Sequence, residues 1–285
     1  MPGAKLALPL AVLALVSAAP ALAAGDPKVA ALQVALRSRA LYAGPVDGVM
    51  GDETERGVKL LQRHHELAVD GIVGPKTRAA LGRWGRHPLG SRILSIRKEG
   101  WDVAELQFLL AWHGFPSGTF DGAFGPRTEA ALRRFQRWSH LKVDGRAGPA
   151  TLGALAAPPA VSPLRLAWPL QAPVGDRFGP RGTRFHTGID LPAPTGTPVG
   201  AAGAGRIVWA AWAAGGWGYL VTIAHGYGLR SMYAHLSSIA VRVGQDVVAG
   251  ATVGRVGATG DATGPHLHFE LRVRGASIDP LTALR

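Results

Sequence analysis

Four side chains in the last third of the 285-residue chain have types and spacings suited to metal-assisted hydrolysis. His186 and Asp190 lie four residues apart, and His266 and His268 are separated by one leucine some eighty residues later. Two imidazoles and one carboxylate supply the three protein ligands of a catalytic zinc ion and leave a fourth position for water, whose pKa falls to about 7. Further histidines near that water could act as general base and as stabiliser of an oxyanion.

Strands and turns must position these residues. Gly188 and Pro192 argue against a helix around the first pair. The apolar alternation after Pro265 predicts a strand that places His266 and His268 on one face, about 6.6 Å apart. This spacing leaves open which of the two binds metal. Alternation also predicts that one side of a further strand carries Ser231, Tyr233 and His235.

The region from residue 164 onward reads as an antiparallel all-β domain of residues 164–285. Short β-branched or aromatic runs, separated by glycine-containing turns, occupy residues 205–210, 219–224 and 241–248. No amphipathic stretch of helical length interrupts them. The remaining histidines are interpreted as structural or surface residues: His64, His65, His87, His113, His140 and His225.

The first half of the chain contains an internal repeat. A shift of 74 residues aligns residues 29–81 with residues 103–155 without a gap. Each copy predicts a small all-α module of three short helices, with Pro75 and Pro149 in the first turn of a third helix. Asp102 and Glu105 form a capping-box pattern that would open a helix. Modules of this size have small cores, which favours binding over catalysis.

The predicted boundaries follow the changes in composition. They are a signal peptide at 1–23, module 1 at 24–82, a basic connector at 83–101, module 2 at 102–155 and an Ala/Pro linker at 156–163. The linker prolines favour an extended rod of about 25 Å that could hold the β domain away from the modules. No transmembrane segment is predicted in the mature chain.

Composition narrows the function classes. The chain has no cysteine, so thiolate zinc sites, disulfides and a cysteine nucleophile are excluded. Its formal charge is +12, and the excess lies in the connector and the β domain as dispersed single arginines. A nucleic-acid binder would show a dense basic stripe with interleaved aromatic residues. We therefore expect no nucleic-acid partner, and the charge is more simply explained by attraction to anionic polymers of a cell wall.

The motifs of the β domain resemble those of the lysostaphin-type (LytM) zinc metallopeptidases, which cut peptide cross-links of peptidoglycan. The resemblance covers residues 164–281 and rests on three motifs in order: His186-x-x-x-Asp190, Met-Tyr-Ala-His235-Leu and Gly-Pro-His266-Leu-His268-Phe-Glu. It implies that His186, Asp190 and His268 bind one Zn²⁺ that carries a water, and that His235 and His266 are the catalytic pair. All five positions are intact, which favours an active enzyme.

Both helical repeats resemble the three-helix peptidoglycan-binding modules of bacterial wall hydrolases, through their Leu-Gln start, Asp-Gly-x-x-Gly turn and Val-Asp-Gly-x-x-Gly-Pro end. Together the resemblances imply a secreted, cell-wall-associated peptidoglycan hydrolase that acts as a monomeric zinc endopeptidase, or a periplasmic one if the source has an outer membrane. The alternative is a catalytically silent wall-binding regulator of another hydrolase. The Trp212–Trp217 segment predicts a loop beside the groove, with its tryptophans as core and rim.

Overall fold

Six α-helices form the first half of the protein in a computed structural model that describes residues 25–285. The predicted signal peptide lies outside these residues. The first module contains α1 (Pro27–Arg37), α2 (Asp52–His64) and α3 (Pro75–Ala80), and the second contains α4 (Trp101–Trp112), α5 (Pro126–Trp138) and α6 (Pro149–Leu155). Pro75 and Pro149 occupy the first turn of α3 and α6, as predicted.

One hydrogen-bond network recurs four times in the modules. The Gln33 side-chain nitrogen lies 2.7 Å from Asp47 and 3.2 Å from Thr54, while its oxygen accepts the Gly48 amide at 2.9 Å. The same arrangement is repeated by three further sets: Gln62/Asp70/Thr77, Gln107/Asp121/Thr128 and Gln136/Asp144/Thr151. Each glutamine is almost fully buried, so the network satisfies its amide and fixes an Asp-Gly turn against a helix.

The capping-box prediction at Asp102 is wrong. Helix α4 begins at Trp101, and the residue before it is Gly100 with φ +130°. Asp102 is buried instead and pairs with Arg92 of the connector, at 2.7 Å between Nε and Oδ2. The ion pair competes for the carboxylate that a cap would have used, and it anchors the connector to the second module.

The second half of the protein is built from twelve short strands: β1 (Gly179–Arg181), β2 (Arg184–His186), β3 (Ile189–Pro192), β4 (Pro198–Gly200), β5 (Gly205–Ala213), β6 (Gly218–Ala224), β7 (Leu229–Leu236), β8 (Ser238–Ile239), β9 (Asp246–Val247), β10 (Thr252–Arg255), β11 (His266–Val273) and β12 (Ala276–Ile278). All paired strands are antiparallel. The predicted fold class, helical modules followed by an antiparallel β domain, is therefore confirmed. Of the run 241–248, only β9 is a strand, because Gly244 (φ +85°) turns the chain before it.

One large sheet carries the site. Its strand order is β12-β11-β7-β6-β5-β9, and β3 pairs with the start of β11 on the edge opposite β7. Its inner face packs a core that includes Val221, Tyr233 and Phe269, all fully buried. Residues of opposite parity on β7 and β11 therefore lie on the outer face, where the polar side chains of the site converge.

Both modules pack directly on the β domain. Phe178 and Phe185 belong to the same apolar cluster as residues of both modules, with the Trp112 ring 5.3 Å from the Phe185 ring. At the second contact, the Trp138 indole donates to the Val273 carbonyl at 3.2 Å. The linker therefore does not hold the β domain away, because burial of these aromatic surfaces draws the domains together.

Within residues 25–285, no helix combines the length and the apolar character that crossing a membrane would require.

Candidate active site

Three of the predicted side chains meet at one point on the outer face of the large sheet. His186 ends β2, Asp190 lies on β3, and His268 lies on β11 directly opposite Asp190. The Asp190 Oδ1 atom is 3.1 Å from His186 Nε2 and 2.8 Å from His268 Nδ1, and the two ring nitrogens are 3.0 Å apart. Two ligands of a tetrahedral zinc ion lie about 3.3 Å apart, so this donor set fits one such ion.

Backbone and carboxylate partners orient both imidazole ligands. His186 Nδ1 lies 2.9 Å from the Arg177 carbonyl and donates a hydrogen bond to it. The other ring nitrogen, Nε2, therefore points toward Asp190 and is the atom that would bind a metal. His268 uses its other nitrogen, since Nε2 is 3.3 Å from Glu270 Oε1 and Nδ1 faces Asp190. Partners of this kind fix the tautomer and the ring orientation of metal-binding histidines.

Asp190 and His268 stabilise each other's charged forms. Burial alone would raise the pKa of Asp190, but hydrogen bonds from His186 and His268 outweigh it and hold that pKa far below its ordinary range. Burial would lower the pKa of His268, but its hydrogen bonds to Asp190 and Glu270 raise it to about 9. Arg181 Nη1 lies 3.3 Å from the second carboxylate oxygen of Asp190. A divalent cation at this point would therefore replace a bound proton.

Glu270 is a member of this cluster that sequence reasoning missed. Its carboxylate is fully buried and touches His268, the Thr187 hydroxyl and Arg272, whose Nε is 2.8 Å away. Burial would raise the pKa of Glu270, but these partners hold it below its ordinary value. Period-two spacing from His268 was the available signal, because it places residue 270 on the same face of β11.

His235 and His266 lie beside this cluster with their rings 4.8 Å apart. His235 donates from Nδ1 to the Thr259 carbonyl at 2.8 Å, and His266 donates from Nδ1 to the Gly264 carbonyl at 2.8 Å. Each ring therefore directs Nε2 toward the cleft, where in the neutral form it can accept a proton from a substrate or a water. His266 Nε2 is 3.7 Å from Asp190, which places this pair at the edge of the metal-binding cluster.

The structure corrects the predicted grouping of Ser231, Tyr233 and His235 on one side of a strand. Ser231 and Tyr233 face the core and are fully buried, whereas His235 faces the cleft. The reason is the backbone of His235, whose φ of +60° breaks the alternation of the strand. Such a conformation is costly for a non-glycine residue and is found most often at functional sites.

A cleft of about 570 Å³ opens over these groups. His235, His266, His268 and Asp190 line its floor, and the Asp261–Pro265 segment forms one wall. Burial lowers the pKa of His235, which keeps its imidazole neutral near pH 7. The histidine interpreted as structural, His225, lies elsewhere: it is buried between the Ser231 hydroxyl and the Ala204 carbonyl. The cleft thus combines a candidate three-ligand cation site with two further imidazoles, an arrangement suited to hydrolysis of an amide.

Comparison with known proteins assigns the domains. Residues 184–280 match the model of Peptidase family M23, and residues 25–81 and 99–155 each match the model described as "Putative peptidoglycan binding domain". The protein therefore contains a LytM-type M23 peptidase domain preceded by two peptidoglycan-binding modules.

Individual relatives share the peptidase domain. The DD-carboxypeptidase/endopeptidase Mpg of Neisseria meningitidis serogroup B is 43% identical over 115 residues, which cover 40% of this chain and 26% of that protein. The peptidoglycan DD-endopeptidase ShyA of Vibrio cholerae is 41% identical over 111 residues, or 39% of this chain and 24% of that protein. The chain thus spans about a quarter of the length of these curated relatives. A solved zinc-containing peptidase from Vibrio cholerae is 31% identical, with a TM-score of 0.38, and the match covers 40% of this chain and 39% of that one.

Proposed function

We propose that this protein is a secreted, cell-wall-associated peptidoglycan hydrolase: a zinc-dependent endopeptidase that cuts amide bonds in the stem peptides or cross-bridges. The convergence of His186, Asp190 and His268 on one point beside the imidazoles of His235 and His266 carries the proposal. The relatives named as endopeptidases support the reaction class, and the two binding modules support the wall as the place of action.

Each side chain of the site has a distinct role in the proposed reaction. His186, Asp190 and His268 would hold the ion, and Glu270 and the Arg177 carbonyl orient the two histidines. A bound Zn²⁺ supplies Lewis acidity, which lowers the pKa of a coordinated water and polarises a carbonyl. The Nε2 atom of one of the two imidazoles, His235 or His266, is in place to accept a proton from an attacking water. The other imidazole, in its protonated form, is in place to donate a hydrogen bond from Nε2 to the oxyanion.

The decisive experiment is product analysis on purified peptidoglycan. Incubation with the full chain should release new α-amino groups, and mass spectrometry should find new peptide termini without new reducing ends. His235→Ala and His266→Ala should each lower the rate by about 100-fold or more, the usual contribution of a general acid or base. His87→Ala, which changes an exposed histidine of the connector, should match the parent.

Metal dependence is tested in the same assay. A chelator should abolish release, and zinc should restore it. If the parent releases nothing with zinc present while it still pellets with the wall, the protein is a silent wall-binding regulator. If His266→Ala is as fast as the parent, the assignment of that imidazole is wrong.

A further inference from the structure

A second concavity lies beyond Trp217 on the outer face of the large sheet. It is an open groove of about 930 Å³. Its lining combines three tryptophans with three arginines: Trp209, Trp212, Trp217, Arg230, Arg272 and Arg274. Among the described residues that line it, none is acidic. The groove is therefore both aromatic and cationic.

Two of these arginines occupy positions where their like charges repel each other. Arg230 on β7 stands directly opposite Arg272 on β11, and like charges in opposed positions of an antiparallel pair are destabilising. The buried carboxylate of Glu270 contacts Arg272, at 2.8 Å, and is shared with His268. No carboxylate within residues 25–285 pairs with Arg230, and its side chain is exposed. An anion in the groove would relieve this excess of positive charge.

The third arginine adds to the excess from the module side. The Arg274 guanidinium lies 5.0 Å from the Trp138 ring, and its Nη1 is 3.3 Å from His140 Nε2. Both contacts are to second-module side chains and neither supplies negative charge. The end of the groove that abuts the module is therefore cationic as well.

The aromatic residues connect the groove to the metal-binding cluster. The Trp217 ring is 5.6 Å from the His268 ring, and the Arg272 guanidinium lies 5.5 Å from the same tryptophan ring. Trp209 and Trp212 are 44% and 56% exposed at the rim. Together with Trp217 they present a run of aromatic surface, which suits contact with a bound chain.

We propose that this groove binds an acidic segment of the substrate peptide, with Arg230, four residues along the ladder from the pairing partner of His268, recognising a free carboxylate at a distance from the bond that is cut. The inference rests on the proposed function and names the substrate class within it: stem peptides with free carboxylates rather than their amidated forms. A guanidinium matches a planar carboxylate through two parallel hydrogen bonds. Only the Trp217 ring separates the groove from His268. This proximity to the candidate active site favours the substrate peptide over a separate phosphate-bearing wall polymer.

The test compares two soluble stem peptides that are identical except that the carboxylates are free in one and amidated in the other. Binding to the full chain carrying His266→Ala, which prevents turnover, is followed by tryptophan fluorescence. The free-acid peptide should bind about tenfold more tightly, as expected for one charge-assisted contact. Arg230→Gln should remove that difference. Arg206→Gln should preserve it, because Arg206 pairs with Asp246 at the opposite edge of the sheet.

Equal affinity for the two peptides, or discrimination that survives Arg230→Gln, overturns the proposal. It is also overturned if a phosphate-bearing wall polymer binds through Arg230 and the free-acid peptide does not displace it. Cleavage by the parent chain is measured separately on cross-linked forms of both peptides. If the parent chain cleaves both peptides and binds them equally, only the proposal for the groove is overturned. If it binds the free-acid peptide more tightly but cleaves neither peptide, the endopeptidase proposal is overturned and the proposal for the groove stands.

Discussion

Glu270 controls the orientation of one candidate metal ligand without contacting the metal point itself. It accepts hydrogen bonds from the Thr187 hydroxyl and from Arg272. It also contacts Nε2 of His268 and so fixes the orientation of that ring. Since His268 can present only Nδ1 to the cluster in this arrangement, the carboxylate determines which ring nitrogen is available. The residue is fully buried, so its negative charge depends on these partners.

We expect Glu270→Gln to weaken zinc binding by about 10- to 100-fold, the usual effect of losing such a partner. A glutamine keeps the volume and one acceptor but loses the charge that balances His268 and Arg272. Affinity is measured by competition with a chromogenic chelator. Glu99→Gln, at an exposed residue of the connector, is the control, and equal affinities in the two variants would contradict the role of Glu270.

His113 makes the second module sensitive to acid. Its ring is 5% exposed, packs edge-on against Phe135, and has Nε2 3.0 Å from the Leu155 carbonyl. Burial lowers the pKa of His113, and the hydrogen bond offsets this only in part. The unfolded chain therefore binds a proton before the folded chain does, so stability is full above about pH 6.5 and falls as the pH drops toward the folded-state pKa.

We expect His113→Leu to flatten this dependence. The parent should lose free energy of unfolding between pH 7.5 and 5.5 in urea denaturation, and the variant should lose less over the same interval. The pKa values of His225 and His235 are shifted in the same direction, so both proteins keep a residual slope. The exposed His87→Leu substitution should reproduce the parent slope, and a variant slope as steep as the parent's would count against the assignment.

At the scale of elements, the β1–β2 hairpin joins the modules to the candidate metal ligands. The hairpin ends in His186, and it carries Arg181, which contacts Asp190. Both modules hold its turn: the Val46 amide donates to the Gly182 carbonyl at 2.8 Å, and the Phe120 amide donates to the Thr183 carbonyl at 2.7 Å. The hairpin is therefore supported from outside the peptidase domain.

Trp112→Ala tests this support. Its ring packs against Phe178 and Phe185 on either side of the hairpin. We expect a loss of about 3–5 kcal/mol in stability together with weaker zinc binding, since the strand that ends in His186 loses its packing partner. Leu36→Ala removes a buried side chain of α1 from the same apolar cluster and should cost stability alone. Equal zinc affinity in the parent and Trp112→Ala would show that the hairpin needs no support from the module.

The elements also show where sequence reasoning succeeds. Strand β11 is regular, so alternation alone predicted that His266 and His268 share a face, and the structure places both in the cleft. Alternation failed at His235, because a left-handed backbone is not encoded in hydrophobic pattern. The capping box failed at Asp102 because the competing partner, Arg92, lies ten residues away. The contacts between distant segments, rather than the local propensities, were the part that could not be predicted.

At the scale of the whole molecule, the contact at Gly114 decides whether the modules and the peptidase domain behave as one body. Gly114 follows α4, has φ +84°, and accepts a hydrogen bond from the Ser277 amide at 3.2 Å. A Cβ at this position would overlap the Ser277 backbone. Because backbone on both sides is fixed by α4 and β12, the overlap cannot be relieved by a rotamer change.

We expect Gly114→Ala to separate the second module from the peptidase domain. The parent should unfold in one calorimetric transition, whereas the variant should show two transitions and a larger radius of gyration in solution scattering, because the interface that couples the domains is lost. Gly118→Ala is the matched control: it has the same left-handed requirement, at φ +98°, but its Cβ would meet only the flexible side chain of Arg127 at 3.6 Å. If both variants keep the parent's radius and single transition, close packing at Gly114 does not hold the domains together, and the remaining contacts, such as Trp138 with Val273 and Trp112 with Phe185, are sufficient.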